Sequence, residues 1–210
     1  METALILGTF AVTHFLAVAS PGPSFAVVLR ETVSHGRRAA LMLCLGLGVG
    51  TVIWASGAWF GLAALFEVAP WLLTALRWAG AGFLIFLCVM LWRNARDPAP
   101  EVDLAETAGR AGGRSDLAAF RLGLLTQLAN PKVAVFFGSI FVVILPPDPS
   151  PALLAAVFVI VFLNECCWYA TVALVMAGRA MRRRYAGAKP LVDRVTGTFL
   201  GALGLRLLVD

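Results

Sequence analysis

Ser20-Pro21-Gly22-Pro23 cuts the first apolar run of this chain, and Asn130-Pro131-Lys132 cuts the fourth. Each break falls near the middle of a stretch long enough to cross a bilayer. Proline has no N–H and clashes with the preceding helical turn, so it frees backbone polar groups. In lipid those groups must be satisfied by protein or by water in a cavity. Two broken helices at corresponding places in two halves are a sequence pointer to a transporter's substrate site.

The rest of the composition agrees with a membrane protein. Of 210 residues, 60% are hydrophobic and 14% charged, whereas a soluble domain is about half apolar and a quarter charged. The chain is therefore expected to be an all-α integral membrane protein, a single transporter domain over residues 1–210, and not an enzyme. Its net charge is +5, but the basic residues lie between apolar runs rather than along one face, which argues against a nucleic-acid partner. Cys44, Cys88, Cys166 and Cys167 all fall inside apolar runs without zinc-ligand or CxxC spacing. They read as small interior hydrophobes, so neither a metal nor a cofactor is expected. Ala17-Val18-Ala19-Ser20 has some likeness to a cleavage site, yet Met1-Glu2 supplies no positive n-region, and the stretch reads as part of the first span.

Windows of about 19 residues give six spans near 4–29, 39–66, 71–92, 119–145, 151–177 and 190–209. Gly46, Gly50, Gly57 and Gly61 form two GxxxG spacings in the second span. Small residues let helix backbones approach closely. Packing within the chain is the plain reading, and either spacing also allows a homodimer. The polar stretch 94–118, with Asp97-Pro98-Ala99-Pro100-Glu101 and the Gly109–Gly113 segment, reads as a linker between repeat 1 (1–93) and repeat 2 (119–210).

Fourteen of the seventeen basic residues lie in or beside loops one, three and five; the N-terminus and loops two and four carry Glu2, Glu67 and Asp148 and no Lys or Arg. The positive-inside rule then makes the linker cytoplasmic and puts both termini outside. Ala19-Ser20-Pro21 matches Ala129-Asn130-Pro131, and Arg77-Trp78-Ala79-Gly80 opens the third span as Arg194-Val195-Thr196-Gly197 opens the sixth. Three spans per half is odd, so the second half inserts upside down. The expectation is six transmembrane helices as an inverted 3+3 repeat with helices 1 and 4 broken by proline.

The run Pro21-Gly22-Pro23, Arg30, Gly36-Arg37-Arg38-Ala39-Ala40 and Gly46 to Gly50 resembles the first-half signature of the LysE/RhtB amino-acid exporter family. Leu124 to Asn130-Pro131-Lys132, then Phe136-Phe137, resembles its second-half signature, and Gly201-Ala202-Leu203-Gly204-Leu205-Arg206-Leu207 is similar to family C-termini. The resemblance implies a six-span protein of the bacterial inner membrane that exports amino acids or close derivatives, powered by protons. It carries a role at the substrate site over to Pro21, Pro23, Asn130, Pro131 and Lys132. Ser24, Phe83, Val133 and Pro146-Pro147-Asp148-Pro149 depart from the common family pattern, and these departures bear on the substrate more than on the fold.

Lys132 and Glu165 stand near the centres of the fourth and fifth spans. A charge at mid-bilayer costs about 2.5–3.5 kcal/mol on insertion scales, so such residues pair or line a pathway. Two readings stand: a structural Lys132–Glu165 ion pair, or Glu165 as the proton-coupling carboxylate or the partner of a substrate ammonium. A substrate carboxylate suits helix starts after Gly22-Pro23 and after Pro131, with Ser24 in reach. An ammonium suits carbonyls near Ser20, or Glu165. Gln127, Asn130 and Asn164 add neutral polar groups, for which capping and interhelical bonding are equal alternatives. Trp168 and Tyr169 share a helix face with Glu165 and either pack or wall the substrate. His14 reads as an interior histidine, with a proton relay as the alternative. Two other functions are weighed: a metal or cation exporter using Cys166-Cys167, and a membrane thiol-redox carrier, which the lack of cysteine beside Pro21 and Pro131 disfavours.

Overall fold

Helices stop at both breaks in the computed structural model of the protein, which describes residues 2–20, 22–68, 71–97, 114–146, 148–175 and 179–209. Helix α1 (Glu2–Ala19) ends one residue before Ser20, and α2 (Pro23–Val68) starts at Pro23; Pro21 itself lies outside the described residues. Helix α3 (Trp71–Arg93) runs into a short 3₁₀ turn, Asn94–Arg96. Helix α4 (Asp116–Leu128) ends just before the second break, and α5 (Pro131–Ile144) starts from it. Helices α6 (Pro151–Val175) and α7 (Arg179–Val209) complete the chain, and no strand occurs among the described residues.

Local chemistry explains these boundaries. The residue before a proline is pushed out of the helical region, and Asn130 sits at φ −84°, ψ 106°. Its Oδ1 accepts from the Lys132 N–H at 3.1 Å and so caps α5. Pro131 occupies the first helical turn, where a missing N–H costs nothing. Ser115 accepts from the Ala118 N–H at 3.3 Å and starts α4 three residues before the expected 119. The linker's residues 98–113 lie outside the described residues.

The expected loop at 30–38 is helical on both sides of one residue. Only Gly36 leaves the helix, at φ 85°, ψ 177°. That backbone conformation belongs essentially to glycine, so one residue redirects the chain where a loop was expected.

Among the described residues, three segments are long and apolar enough to cross a membrane: Pro23–Gly61, Trp78–Arg96 and Pro151–Val175. The apolar stretch Thr3–Ala19 is shorter. Helices α4 and α5 have 13 and 14 residues, so neither alone spans a hydrocarbon core of about 30 Å.

Glycine sets the helix spacing. A Cβ at Gly46 would strike the main chain of Phe120, and one at Gly123 would strike that of Leu43, so α2 and α4 pack backbone to backbone. At Gly50 an added Cβ would stand 2.8 Å from the Gln127 Cβ. Gly197, Gly201 and Gly204 do the same for α7 against Trp92, Cys88 and Ala81 of α3. Gly57 and Gly61, the second GxxxG spacing, meet nothing within 4 Å.

Side chains fill the remaining space. Phe10, Trp59, Phe137, Phe141 and Val157 join α1, α2, α5 and α6 in one buried cluster. Phe25, Leu43, Leu47 and Val172 form a second, and Leu84, Leu87, Leu91 and Leu200 join α3 to α7 in a third. Beside Gly36, Arg38 pairs with Asp116 at 2.8 Å, and its hydrogen bond holds the Asp116 carboxyl below the usual carboxylate range. Buried Glu31 lies 2.8 Å from Arg114 and 3.2 Å from His35. The two ion pairs from Arg38 and Glu31 tie the start of α4 to the Gly36 bend.

Gly123→Val is expected to lower stability by about 1–3 kcal/mol through overpacking. Gly57→Val, with open space at its Cβ, is expected to change nothing measurable. Thermal unfolding of the detergent-solubilised protein compares the two.

Candidate functional site

Gln127 is the most heavily bonded side chain at the breaks. It lies in the last turn of α4, with 1% of its surface exposed. Its Nε2 donates to Thr51 Oγ1 at 2.6 Å and to Glu165 Oε1 at 2.7 Å. Its Oε1 accepts from Ser24 Oγ at 2.7 Å. Asn130 Nδ2 donates to Ser24 Oγ at 3.1 Å. The Trp54 indole N–H reaches the Gln127 carbonyl at 3.2 Å, and Thr51 donates to the Leu47 carbonyl. One network thus joins α2, α4, α6 and the second break.

Lys132 points the other way. Its Nζ donates to the carbonyls of Ala17 at 2.8 Å and Ser20 at 3.2 Å. These carbonyls lie at the end of α1, where intrahelical donors run out. A cation there also meets the negative end of the helix dipole. A Lys132–Glu165 ion pair, one of the two readings of these charges, is not among the ion pairs of the described residues. Lys132 is held by the α1 terminus, and Glu165 by the Gln127 amide.

Both charges nevertheless line one cavity of about 40 Å³. Ser20, Gly22, Ser24, Gln127, Asn130 and Tyr169 line it with them. Pro23 borders a neighbouring chamber instead. The side chain of Pro131 lies outside the described residues. Two expected site residues turn away. Asn164 Nδ2 donates to the Ala11 carbonyl at 3.0 Å, tying α6 to α1, and stands 3.5 Å from His14 Nδ1. Trp168 meets Phe15 edge-on at 5.6 Å. A shared stripe one turn on from Glu165 spans enough of the helix circumference for Tyr169 to face inward and Trp168 to face α1.

The sequence reading missed Thr51 and placed His14 outside the site. His14 lines the cavity among Phe10, Phe136 and Phe137. Thr51 follows Gly50 in an apolar run, and only the closeness of α4 turns it into a partner for Gln127. No cysteine lines the cavity. Cys166 Sγ lies 3.7 Å from the Cys44 carbonyl, and Cys167 is exposed. No cluster of three or more His, Cys, Asp or Glu that could hold a metal occurs among the described residues.

The profile of the LysE type translocators matches residues 15–210. The chain belongs to the LysE type translocator family. It is 32% identical to the threonine efflux protein of Escherichia coli over 208 residues, 96% of this chain and 97% of that protein. It is 30% identical to the homoserine/homoserine lactone efflux protein of Salmonella typhimurium over 168 residues, 78% of each chain. It is 31% identical to the leucine efflux protein of an Enterobacter species over 136 residues, 64% of this chain and 61% of that one. No solved structure matches it. The family is one of transporters, not enzymes.

Gln127→Leu removes one hydrogen bond each from Ser24, Thr51 and Glu165, while Ser24 keeps Asn130 and Thr51 keeps the Leu47 carbonyl. The loss is expected to cost about 1–3 kcal/mol. The variant is expected to unfold at a lower temperature than the wild type. Thermal unfolding of the two solubilised proteins checks this.

Proposed function

We propose that this translocator is a secondary active exporter of amino acids or close derivatives from the bacterial cytoplasm across the inner membrane. The observation that carries the reading is the pair of opposite charges on one cavity, each held by neutral groups rather than by the other. A zwitterion brings a carboxylate and an ammonium. Lys132 suits the carboxylate, and Glu165 suits the ammonium. The threonine, leucine and homoserine efflux relatives support the same substrate class.

Ser24, Gln127 and Asn130 orient the two charged residues, and the helix starts at Pro23 and Pro131 favour the carboxylate end. Tyr169 contributes wall. Protons drive export by competing with the substrate ammonium for Glu165. Six spans in an inverted 3+3 repeat, with helices 1 and 4 broken by proline and both termini outside, follow from the loop charges and the two matched breaks. Reporter fusions at Asp148 and Arg96 are expected to report external and cytoplasmic placement. The reverse result would remove the inverted repeat.

Glu165→Gln tests the mechanism. Lys132 is held by carbonyls, so the change leaves no buried cation newly unpaired. The protein is expected to reach the membrane at normal levels, lose efflux driven by a pH gradient, and keep exchange of substrate across the membrane. Dipeptide-loaded cells and proteoliposomes with an imposed gradient measure the two activities. Gradient-driven efflux at the wild-type rate would remove Glu165 from coupling.

A further inference from the structure

A second chamber of about 310 Å³ lies against the first and shares Ala17, Ser20, Gly22, Asn130 and Lys132 with it. The two spaces therefore meet at the breaks, with Lys132 on the boundary. Their chemistry differs. The small cavity holds Glu165, Gln127, Ser24 and Thr51. The wall peculiar to the large chamber is Phe83, Phe86, Leu87, Met90, Leu91 and Leu200, with Pro23 and Thr196. Among these Thr196 alone carries a polar side chain, and its hydroxyl lies 3.4 Å from the Leu16 carbonyl.

We propose that the large chamber receives the side chain of the transported amino acid, so that the preferred substrates carry large apolar side chains of leucine or phenylalanine type. The inference rests on the exporter reading above and names the substrate class for that site. Its argument is division of space. The small cavity has room for a few water molecules, which suits the polar head of a zwitterion that displaces them and not a whole amino acid. The side chain must go where the cavity continues, and that direction is apolar. Lys132 lies between the two compartments, so a carboxylate bound to it leaves the α-carbon on the boundary. Ser20, whose buried hydroxyl has no partner among the described residues, stands only where the two spaces meet. Beyond it the wall offers a hydroxylated side chain Thr196 alone, whereas an apolar one is matched along its length. Phe86 and Met90 are exposed and form the outer rim.

Two fillings test this. Leu87→Phe narrows the inner wall, and Met90→Trp narrows the rim with less risk to folding. Efflux of leucine, phenylalanine and threonine is measured from cells loaded with the corresponding dipeptides, with the amount of protein in the membrane followed by immunoblot. In the wild type, leucine efflux is expected to exceed threonine efflux by about tenfold, the scale on which an apolar pocket discriminates by one or two methylenes. Each filling is expected to cut that ratio by about fivefold or more at unchanged protein level. If Leu87→Phe fails to accumulate, Met90→Trp decides. Threonine efflux equal to or faster than leucine efflux, with ratios indifferent to both fillings, would assign the chamber to bilayer acyl chains and overturn the inference while leaving the exporter reading in place. Absence of efflux for every amino acid would overturn that reading as well.

Discussion

The buried amide of Gln127 holds the centre of this structure together. It donates to Thr51 and Glu165 and accepts from Ser24. A primary amide is suited to this place because it offers donors and an acceptor without charge. An apolar residue there would take the amide donor from Glu165 and one hydrogen bond each from Ser24 and Thr51, and a second carboxylate would face Glu165 with like charge. The network depends in turn on how closely α4 approaches α2. Gly46, Gly50 and Gly123 bring the two backbones together, and the same approach carries Gln127 onto Thr51. Glycine packing and the polar network are one constraint at two levels.

Lys132 shows how a helix break changes the meaning of a charge. A lysine buried in an unbroken span needs an acid. Here α1 stops at Ala19, and Lys132 donates to the Ala17 and Ser20 carbonyls at its end from across the break. The break at 20–23 therefore makes the site for Lys132, and the break at 130–131 supplies Lys132 to it. Glu165 is released from neutralising a cation, and it stands on the cavity with a neutral amide as its partner.

The helical class and the helix ends near Ser20 and Asn130 were legible in the sequence, because proline inside an apolar run carries a definite backbone cost. Polar groups inside apolar runs marked Gln127, Asn130, Lys132 and Glu165, and these four line one cavity. Azimuth was not legible. Hydropathy is nearly uniform around these helices, so nothing in the pattern separates Tyr169, which faces the cavity, from Trp168, which packs on Phe15. The same ambiguity left a Lys132–Glu165 ion pair standing as one of two readings of these charges. The loop at 30–38 was misread because basic residues mark a membrane boundary without marking the end of a helix. Gly36 alone was the bend, and a glycine among arginines does not announce its φ. Thr51 was invisible for the opposite reason, since its role comes from a partner helix far away in sequence.

The same contacts divide the molecule into parts that hold fast and parts that can separate. Helices α2 and α4 are locked through close backbone approach at three glycines, and α3 and α7 through close contacts at three more, of which Gly201 meets the Cys88 side chain. Moving either pair apart would open voids along its whole length, which packed interiors resist. Much of what binds α1 is different. Single side-chain donors reach its carbonyls: Asn164 at Ala11, Thr196 at Leu16, and Lys132 at Ala17 and Ser20. A hydrogen bond of this kind can be exchanged for one to water or substrate at a net cost of about 1 kcal/mol. On the exporter proposal, an amino acid that spans the cavity of about 40 Å³ and the neighbouring chamber meets Lys132 on their boundary. Its carboxylate would compete with the α1 carbonyls for Lys132, so the bond that caps α1 is the bond that binding would replace.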